Sequence, residues 1–519
     1  MTKYEVGPKI LKKEQVLISI FLIAILVLSS GSMVAFAKNN THVVKPNGVD
    51  DTADIQAAFN ACGSAPGCTV QLVAGNYYVG QVAVIGFQGR FVGMGQGVTS
   101  IQALPNLPPP NPTYNTDTEP FWAALPTPAG VLNANPWPDL FTFVNGAFVM
   151  SGMTISEPYT NLDATTCTAV TPCPTVGYDD AIEGGPSTDT ALLAAIIITG
   201  ETESVTIDHV TVTAPTTTNM NQGILDWGLL LPTGWVAGGS LVDEIPLTGT
   251  FSLTNSLLVD TNPSVGHLAN AFVTISHNTV EGSPDLAYVF DVSNSKITIT
   301  GNQGINLPGF IGVFVEQAAF WPVCTASVTS DCLLPYTLYV TNNNLQVNEG
   351  ANGLFLGDFG TPSTLSAVVS GNVVQTDASC GCYLSNNPGY SAIISQSLKS
   401  LVLSLNMITT TTTGGAPVAP GIYATGGPAT IIGNAITGTS TGVWVDYANG
   451  VHVTANAIKN SVQYGIAVTD GSTNNRVIGN FITGTASGGY DLYWDNTGTG
   501  NVWSGNFCGD HTSSPPGLC

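Results

Sequence analysis

Charge is what this chain has least of. Only 9% of its 519 residues are charged, and Lys and Arg together number 11. A helical bundle draws on Ala, Leu, Glu and Lys. Here Gly, Thr, Val, Ile and Asn prevail, with 58 Gly and 32 Pro, and that mixture favours strands punctuated by turns. Long amphipathic runs of period 3.6 are missing, which excludes a helical solenoid. Serine-hydrolase and nucleotide-binding signatures are missing too. No Cys or His spacing converges as a metal site requires, so no metal is expected from the cysteines. The formal net charge of −23 repels nucleic acid and anionic membranes. A hydrophobic fraction of 44% is enough for a large core, which argues against disorder.

The N-terminus reads as an export signal. Lys3, Lys9, Lys12 and Lys13 precede an uncharged run from Val16 to Ala37 that ends in Ala35-Phe36-Ala37, a small-x-small cleavage pattern. An uncleaved membrane anchor is the alternative, because the run is long enough to span, although Ser29, Ser30, Gly31 and Ser32 interrupt it. No second run of spanning length follows. Residues 1–37 carry four Lys and two Glu, leaving −25 for the remainder. A secreted or cell-surface location follows, with membrane contact only through this segment if it is uncleaved. The ten cysteines agree with export. Cys62 with Cys68, Cys167 with Cys173, Cys324 with Cys332, and Cys508 with Cys519 are close pairs, each able to staple a short loop as a disulfide. Cys380 and Cys382 remain, and their one-residue gap makes a strained bridge.

Internal repetition decides the fold. An alternating strand, then Asn, then an apolar step recurs at Asn255, Asn278, Asn302, Asn344, Asn372, Asn406, Asn434, Asn456, Asn480 and Asn506. The gaps from Asn255 through Asn278 to Asn302 are 23 and 24; those from Asn434 through Asn456 and Asn480 to Asn506 are 22, 24 and 26. A period of this length is one coil of a solenoid, too short for a propeller blade, and the coils must stack to bury their apolar faces. Asn tolerates unusual backbone angles at a tight turn, and stacked amides can pair from coil to coil. Parallel crossovers are right-handed. The expected fold is therefore all-β: a single-stranded right-handed parallel β-helix over about 200–506, after a cap and first coils at 38–103. Residues 104–250 are early coils with long insertions, and 251–519 are regular coils with a disulfide-closed tail. Insertions fall at 104–138, which holds ten Pro, and at 157–190, 232–248, 318–335 and 410–420.

Residues 49–59 read as a short amphipathic helix with acidic residues at its start, placed to cover the open end of the solenoid. A strand, turn and strand follow at 69–79. Asp50, Asp51, Thr52, Ile55, Gln56 and Ala58, then Thr69, Val70, Gly75, Tyr77 and Val79, resemble the N-terminal D-D-T-x-x-I-Q-x-A helix and T-V-x-x-x-x-G-x-Y-x-V strand pair of the pectate-lyase-like superfamily. The usual G-D-G before the helix is missing, and the detailed match covers about 35 residues. The resemblance implies the β-helix fold and a connection with polysaccharide. It does not give a reaction.

Late segments align on an apolar-x-apolar core usually opened by Gly, as in Gly312–Glu316, Gly353–Gly357, Gly381–Ser385, Gly421–Thr425, Gly442–Asp446, Gly465–Thr469 and Gly489–Tyr493. Alternation turns the second and fourth residues inward and the third and fifth outward. Phe314, Phe355, Tyr383, Tyr423 and Trp444 then form an external aromatic stripe over successive coils about 4.8 Å apart. Such a stripe either stabilises the sheet or holds the faces of sugar rings. The fifth position supplies Glu316 and Asp446, and Asp291 one coil earlier is expected beside Glu316. Two adjacent carboxyls split their pKa values into an acid and a base fit for glycoside cleavage. Each of these residues also reads, and more simply, as a turn carboxylate bonding its own backbone, since Asp is a common turn former.

Ile207-Asp208-His209 is similar to the I-D-H segment of pectate lyases, but Thr206 stands where Trp usually precedes it. Asp179-Asp180 with Glu183 is a candidate for Ca²⁺, the one cofactor the residues suggest, or a solvated loop. Pectate lyases use an Arg or Lys base with Ca²⁺ on clustered acids, whereas beyond Ala37 only Lys38, Lys45, Arg90, Lys296, Lys399, Lys459 and Arg476 are basic. Polygalacturonases carry N-T-D, an Asp pair, G-H-G and R-I-K, of which only Asp179-Asp180 is present. The expectation is an exported β-helix that binds polysaccharide, with hydrolase- or lyase-type cleavage as its enzymatic version. The alternative is a non-catalytic surface or adhesion scaffold.

Overall fold

A computed structural model of the chain describes residues 40–80, 82–104, 140–156, 195–200, 202–214, 222–230, 244–245, 247–283, 285–307, 311–317, 334–347, 352–358, 363–377, 391–411, 419–509 and 513–519. The export segment, Asp179, Asp180, Glu183 and Tyr383 lie outside the described residues.

The chain winds as a right-handed parallel β-helix. The C-terminal coils show the unit clearly. Ala429–Ile432, Ala435–Thr437 and Thr441–Ala448 make one coil, and His452–Thr454, Ala457–Lys459 and Tyr464–Thr469 the next. Each strand pairs in parallel with its counterpart one coil on: Thr430 with His452, Ala435 with Ala457, Trp444 with Ala467. Coiling starts at Thr41–Val44, which pairs with Cys68–Leu72, well before residue 200. Pairing also runs through the expected boundaries at 104 and 251. Val82–Ile85 pairs with Phe141–Val144, which pairs with Ile196–Gly200.

Alternation works as expected inside each coil. In Leu365–Ser370 the residues Leu365, Ala367 and Val369 are buried while Ser366, Val368 and Ser370 are partly exposed. The inward residues form one continuous core from Val44 to Leu518. The glycine that opens the third strand of a coil has a steric cause. A Cβ on Gly442 would lie 2.5 Å from both the Gly465 carbonyl oxygen and Ile458 Cγ2, so only hydrogen fits where these strands approach.

The Asn ladder is real but shifted by one residue at two coils. Asn278, Asn302, Asn343, Asn372, Asn406, Asn434, Asn456, Asn480 and Asn506 stack as equivalents, nearly all fully buried. Each Oδ1 accepts the backbone N–H and the side-chain Nδ2 of the Asn one coil earlier, as from Asn406 to Asn434 at 2.9 Å for both. Each Nδ2 also donates to a carbonyl of the earlier coil, as Asn434 does to Leu403 at 3.0 Å. Asn344, expected in the ladder, is exposed and Asn343 takes the place. Asn255 is not in it either: Ser256 N–H donates to Asn278 Oδ1, and Asn255 is the left-handed residue before it, with φ 50°. That preceding position is left-handed in coil after coil, at His277, Gly301, Asn342, Gly371, Leu405, Gly433, Ala455, Gly479 and Gly505.

The cap forms as expected. Helix Thr52–Cys62 buries Ile55, Ala58, Phe59 and Cys62 over the first coils. Phe59 meets Phe87 and Phe91 edge-on, each at 5.1 Å. Asp51 is fully buried, and its carboxylate accepts the N–H groups of Asn47 and Tyr78 at 2.7 and 3.0 Å, tying the helix start to the sheet. Gln56 clasps Ala83 through both its amide atoms.

Two of the four expected bridges are formed among the described residues, Cys62–Cys68 at the cap and Cys508–Cys519 at the tail. The other two expected bridges, Cys167 with Cys173 and Cys324 with Cys332, fall within the insertions at 157–190 and 318–335. Cys167, Cys173, Cys324 and Cys332 all lie outside the described residues, as do Cys380 and Cys382.

Candidate functional site

The third strands of the coils stack in register. One column runs Tyr288, Phe314, Phe355, Ile394, Tyr423, Trp444, Ala467, Tyr493. The expected stripe is therefore correct in register at Phe314, Phe355, Tyr423 and Trp444 but not at Tyr383. The strand that follows the Phe355 coil is Ile393–Gln396, so Ile394 takes the position assigned to Tyr383. Two Gly-x-apolar signals occur close together there, at Gly381 and near Ser391, and strand pairing selects the second. Tyr423 does not face solvent as alternation implied. It is buried, with 7% of its surface exposed, and its ring meets Trp444 edge-on at 5.5 Å. Trp444 and Phe355 are half-buried.

The neighbouring column runs Phe290, Glu316, Gly357, Gln396, Thr425, Asp446, Thr469. Phe290, not Asp291, stands opposite Glu316, so the backbones of Asp291 and Glu316 are one residue out of step. Asp446 follows Glu316 by four coils, roughly 19 Å at the usual strand spacing. The three carboxyls are thus not brought together. The side chains of Asp291, Phe314 and Glu316 lie outside the described set.

Asp446 has other acidic partners. Asp446 lies within Thr441–Ala448, and Asp470 and Asp495 directly follow Tyr464–Thr469 and Tyr490–Trp494 in the next two coils. Asp446 is buried at 4% exposure, and its carboxylate accepts Tyr423 Oη–H at 2.9 Å and Thr469 Oγ1–H at 2.6 Å. Thr469 Oγ1 in turn accepts Trp444 Nε1–H at 2.8 Å. Asp470 sits beyond the strand end in a left-handed turn with φ 52° and is exposed. Its carboxyl is hydrogen-bonded to that of Asp446, which holds it above the usual carboxylate range; partial burial and the charges of Asp446 and Asp495 push the same way. Asp495 Oδ2 accepts the backbone N–H of Asp470 at 2.7 Å, and its Oδ1 accepts Thr497 N–H and Oγ1–H. Tyr423 is driven far above its ordinary phenol value, first by burial and then by the Asp446 charge. Beside the pair, Tyr447 is an extra residue in its strand, with φ 46° and 70% of its surface exposed, because Gly426 pairs with Ala448. Further along, Tyr464 and Tyr493 stack at 4.4 Å and Tyr490 lies against Tyr493.

Asp446 is buried and held by two donors, whereas Asp470 faces solvent with its pKa raised by the neighbouring Asp446 carboxyl. Sequence reading named Asp446 but missed Asp470 and Asp495, which directly follow their strands at Thr469-Asp470 and Trp494-Asp495.

Asp208 lies on a different face. Burial favours its neutral form, but donors from Asn255, His209 and Thr254 outweigh it and its pKa is lowered. Its oxygens are used up by Thr254, Asn255 and His209 at 2.7–2.9 Å, which makes it a clasp between coils.

Strand order, register and the capped N-terminal end define the class: the chain has the right-handed parallel β-helix fold. Residues 336–509 match the family model described as NosD, periplasmic copper-binding protein. No curated protein matches the chain in sequence. Among solved structures, the pre-mature gene product 12 of bacteriophage phi29 aligns at 11% identity over 94% of this chain, with a TM-score of 0.50. The match covers 58% of that longer protein. The A-module of mannuronan C-5 epimerase AlgE6 from Azotobacter vinelandii aligns at 15% identity over 92% of this chain and 93% of its own, with a TM-score of 0.33. A family 28 exopolygalacturonase from Yersinia enterocolitica aligns at 11% identity over 91% and 78%, with a TM-score of 0.37. At these identities the likeness concerns the fold.

Proposed function

We propose that this chain is an exported polysaccharide-binding β-helix whose C-terminal coils cleave a neutral or weakly charged glycan, with Asp470 as proton donor and the buried Asp446 carboxyl as the group that raises its pKa. One observation carries the reading. Asp470, whose pKa is raised above the usual carboxylate range by the Asp446 carboxyl beside it, is exposed at the end of a strand in the same stack of coils as Trp444, Tyr464 and Tyr493. Glycoside cleavage needs an acid that keeps its proton near the working pH and surfaces on which sugar rings can lie. The net charge of −23 and the shortage of cations disfavour polyanionic glycans. Export rests on Lys3–Lys13, the apolar run and Ala35-Phe36-Ala37.

No copper site forms among the described residues of the matched region; Cys380 and Cys382 lie outside them. Copper sites take thiolate, thioether or imidazole donors. Among the described residues of 336–509, no three His, Cys, Asp or Glu ligand atoms converge, and Cys508 is tied to Cys519.

A second reading has its own support. Tyr423 and Trp444 direct their polar atoms inward, to Asp446 and Thr469, as residues that hold coils together do. In that case the protein is a non-catalytic surface scaffold. The purified protein and its Asp470→Asn and Asp446→Asn variants should be incubated with a panel of neutral glycans, following both retention and release of reducing ends. The enzymatic reading expects product from the wild type, loss of about 10²–10⁴-fold in Asp470→Asn, and retained binding. Retention without product from any glycan, or equal product from Asp470→Asn, overturns it in favour of the scaffold.

A further inference from the structure

The N-terminal end carries a donor set that the polysaccharide reading does not use. Three elements meet there: the first strand Thr41–Val44, the last residue of the cap helix, and the start of Cys68–Leu72. A ring nitrogen of His42 and the Sγ atoms of Cys62 and Cys68 all lie within 4.8 Å of one another. His42 Nε2 is buried and has no hydrogen-bond partner. The Asn40 carbonyl oxygen stands 3.2 Å from Cys68 Sγ. His42 also lines an open groove of about 610 Å³ between the first strand and the helix, bordered by Lys45, Asp54 and Ala57.

We infer that reduction of Cys62–Cys68 converts this cluster into a binding site for a thiophilic d¹⁰ cation of the Zn²⁺ kind, held by Cys62, Cys68 and His42. The geometry is close to what such an ion takes. Metal–sulfur bonds of about 2.3 Å and metal–nitrogen bonds of about 2.0 Å in a tetrahedron set the donor atoms roughly 3.5–3.8 Å apart. The sulfurs must separate from bonding distance, which two side-chain rotations allow, and the imidazole nitrogen, within 4.8 Å of both, has a short way to close. The unpartnered nitrogen is the second mark of a site, since a buried imidazole nitrogen without a hydrogen bond is costly and a metal bond would satisfy it. Asn40 O or a water completes the fourth position.

The chemistry balances with a phosphine as reductant. The S–S bond takes two electrons and two protons, giving two thiols, while phosphine and water become phosphine oxide. Zn²⁺ then displaces the two thiol protons to solvent, forming two Zn–S bonds and one Zn–N bond. In the oxidised chain the sulfurs are bonded to each other and offer no thiolate, so the site exists only in the reduced protein. The cluster lies outside residues 336–509 and is independent of the carboxyl pair.

The test uses the full chain, oxidised or reduced with a phosphine, titrated with Zn²⁺ and separately with Co²⁺ as an optical probe. Reduced wild type should take up one more equivalent of Zn²⁺ than reduced Cys62→Ser/Cys68→Ser, and should show thiolate-to-Co²⁺ charge-transfer absorption that the variant lacks. The oxidised chain should take up none at this site. His42→Ala keeps both sulfurs and the disulfide, and should weaken the extra equivalent at least about tenfold. Equal uptake by reduced wild type and the double variant overturns the inference. So does unchanged affinity in His42→Ala, which decides the matter alone if the double variant fails to fold.

Discussion

Two adjacent asparagines separate the ladder from mere turn composition. Asn343 is buried in the stack, whereas Asn344 begins the next strand with its side chain in solvent. Truncating Asn343 to Ala removes the Oδ1 that accepts Asn302 N–H at 2.9 Å and Asn302 Nδ2 at 3.0 Å, and the Nδ2 that donates to Ile299 O and Asn372 Oδ1. Not all of this is lost. Asn302 Nδ2 keeps Ile275 O, and Asn372 Oδ1 keeps the Asn343 backbone N–H. The uncompensated damage is the buried Asn302 N–H, at about 1–3 kcal/mol, plus about 1 kcal/mol for the weakened remainder. Asn343→Ala should therefore cost about 2–4 kcal/mol, and Asn344→Ala no more than about 0.5 kcal/mol. Because a long solenoid need not unfold in one step, the assay should be local. Hydrogen exchange on peptides covering Asn302 should speed up strongly in Asn343→Ala and stay unchanged in Asn344→Ala, with denaturant midpoints as a second measure. Equal effects, or a larger one at Asn344, would refute the assigned register.

The carboxyl pair has a pH signature with a fixed sign. Asp470 has a raised pKa in the folded protein, so its stabilising contribution is full below the unfolded value of 3.8 and fades as pH rises through the folded value. Melting temperature measured from pH 3 upward should thus fall less steeply with rising pH in Asp470→Asn than in the wild type. Gly442→Ala should cost roughly 1–3 kcal/mol through overpacking against Gly465 O and Ile458, visible in denaturant unfolding. Trp444→Ala loses the edge contact with Tyr423 and the bond to Thr469, about 1–3 kcal/mol in stability. If Trp444 also carries sugar, glycan retention falls with it; unchanged retention assigns this aromatic to holding the coils alone.

Much of the fold could be read from the chain because a coil repeats its needs. An inward apolar alternation, a left-handed turn and a buried amide recur every 22 to 26 residues where no loop intervenes. Register within a run of like residues could not be read so well. Asn342-Asn343-Asn344 offers three amides to one slot, and only the left-handed angle at Asn342 shows that the next residue fills it. Near Tyr383, which lies outside the described residues, two plausible strand starts fall close together, and backbone pairing puts Ile394 next to Phe355 in the column. The site was half visible. Alternation singled out Asp446, but it placed Tyr423 outside, whereas Tyr423 turns its hydroxyl to Asp446 and is covered. Asp470 comes from the next coil and Asp495 from the one after, so their meeting depends on stacking register rather than on local sequence.

The ladder also dictates how the molecule should yield to force. Asn506 is the last rung, bonded to Asn480 and Val477, and the segment beyond it is clasped by Cys508–Cys519. A pull on the C-terminus therefore loads the final rung rather than a loose tail, and each rung that gives way frees one coil. A coil of 22 to 26 residues adds about 70–90 Å of contour length when drawn out. Stretched between its ends, the β-helix should lengthen in steps of that size, beginning at Asn506 and moving toward Asn434, with larger steps where the coils carry the long insertions.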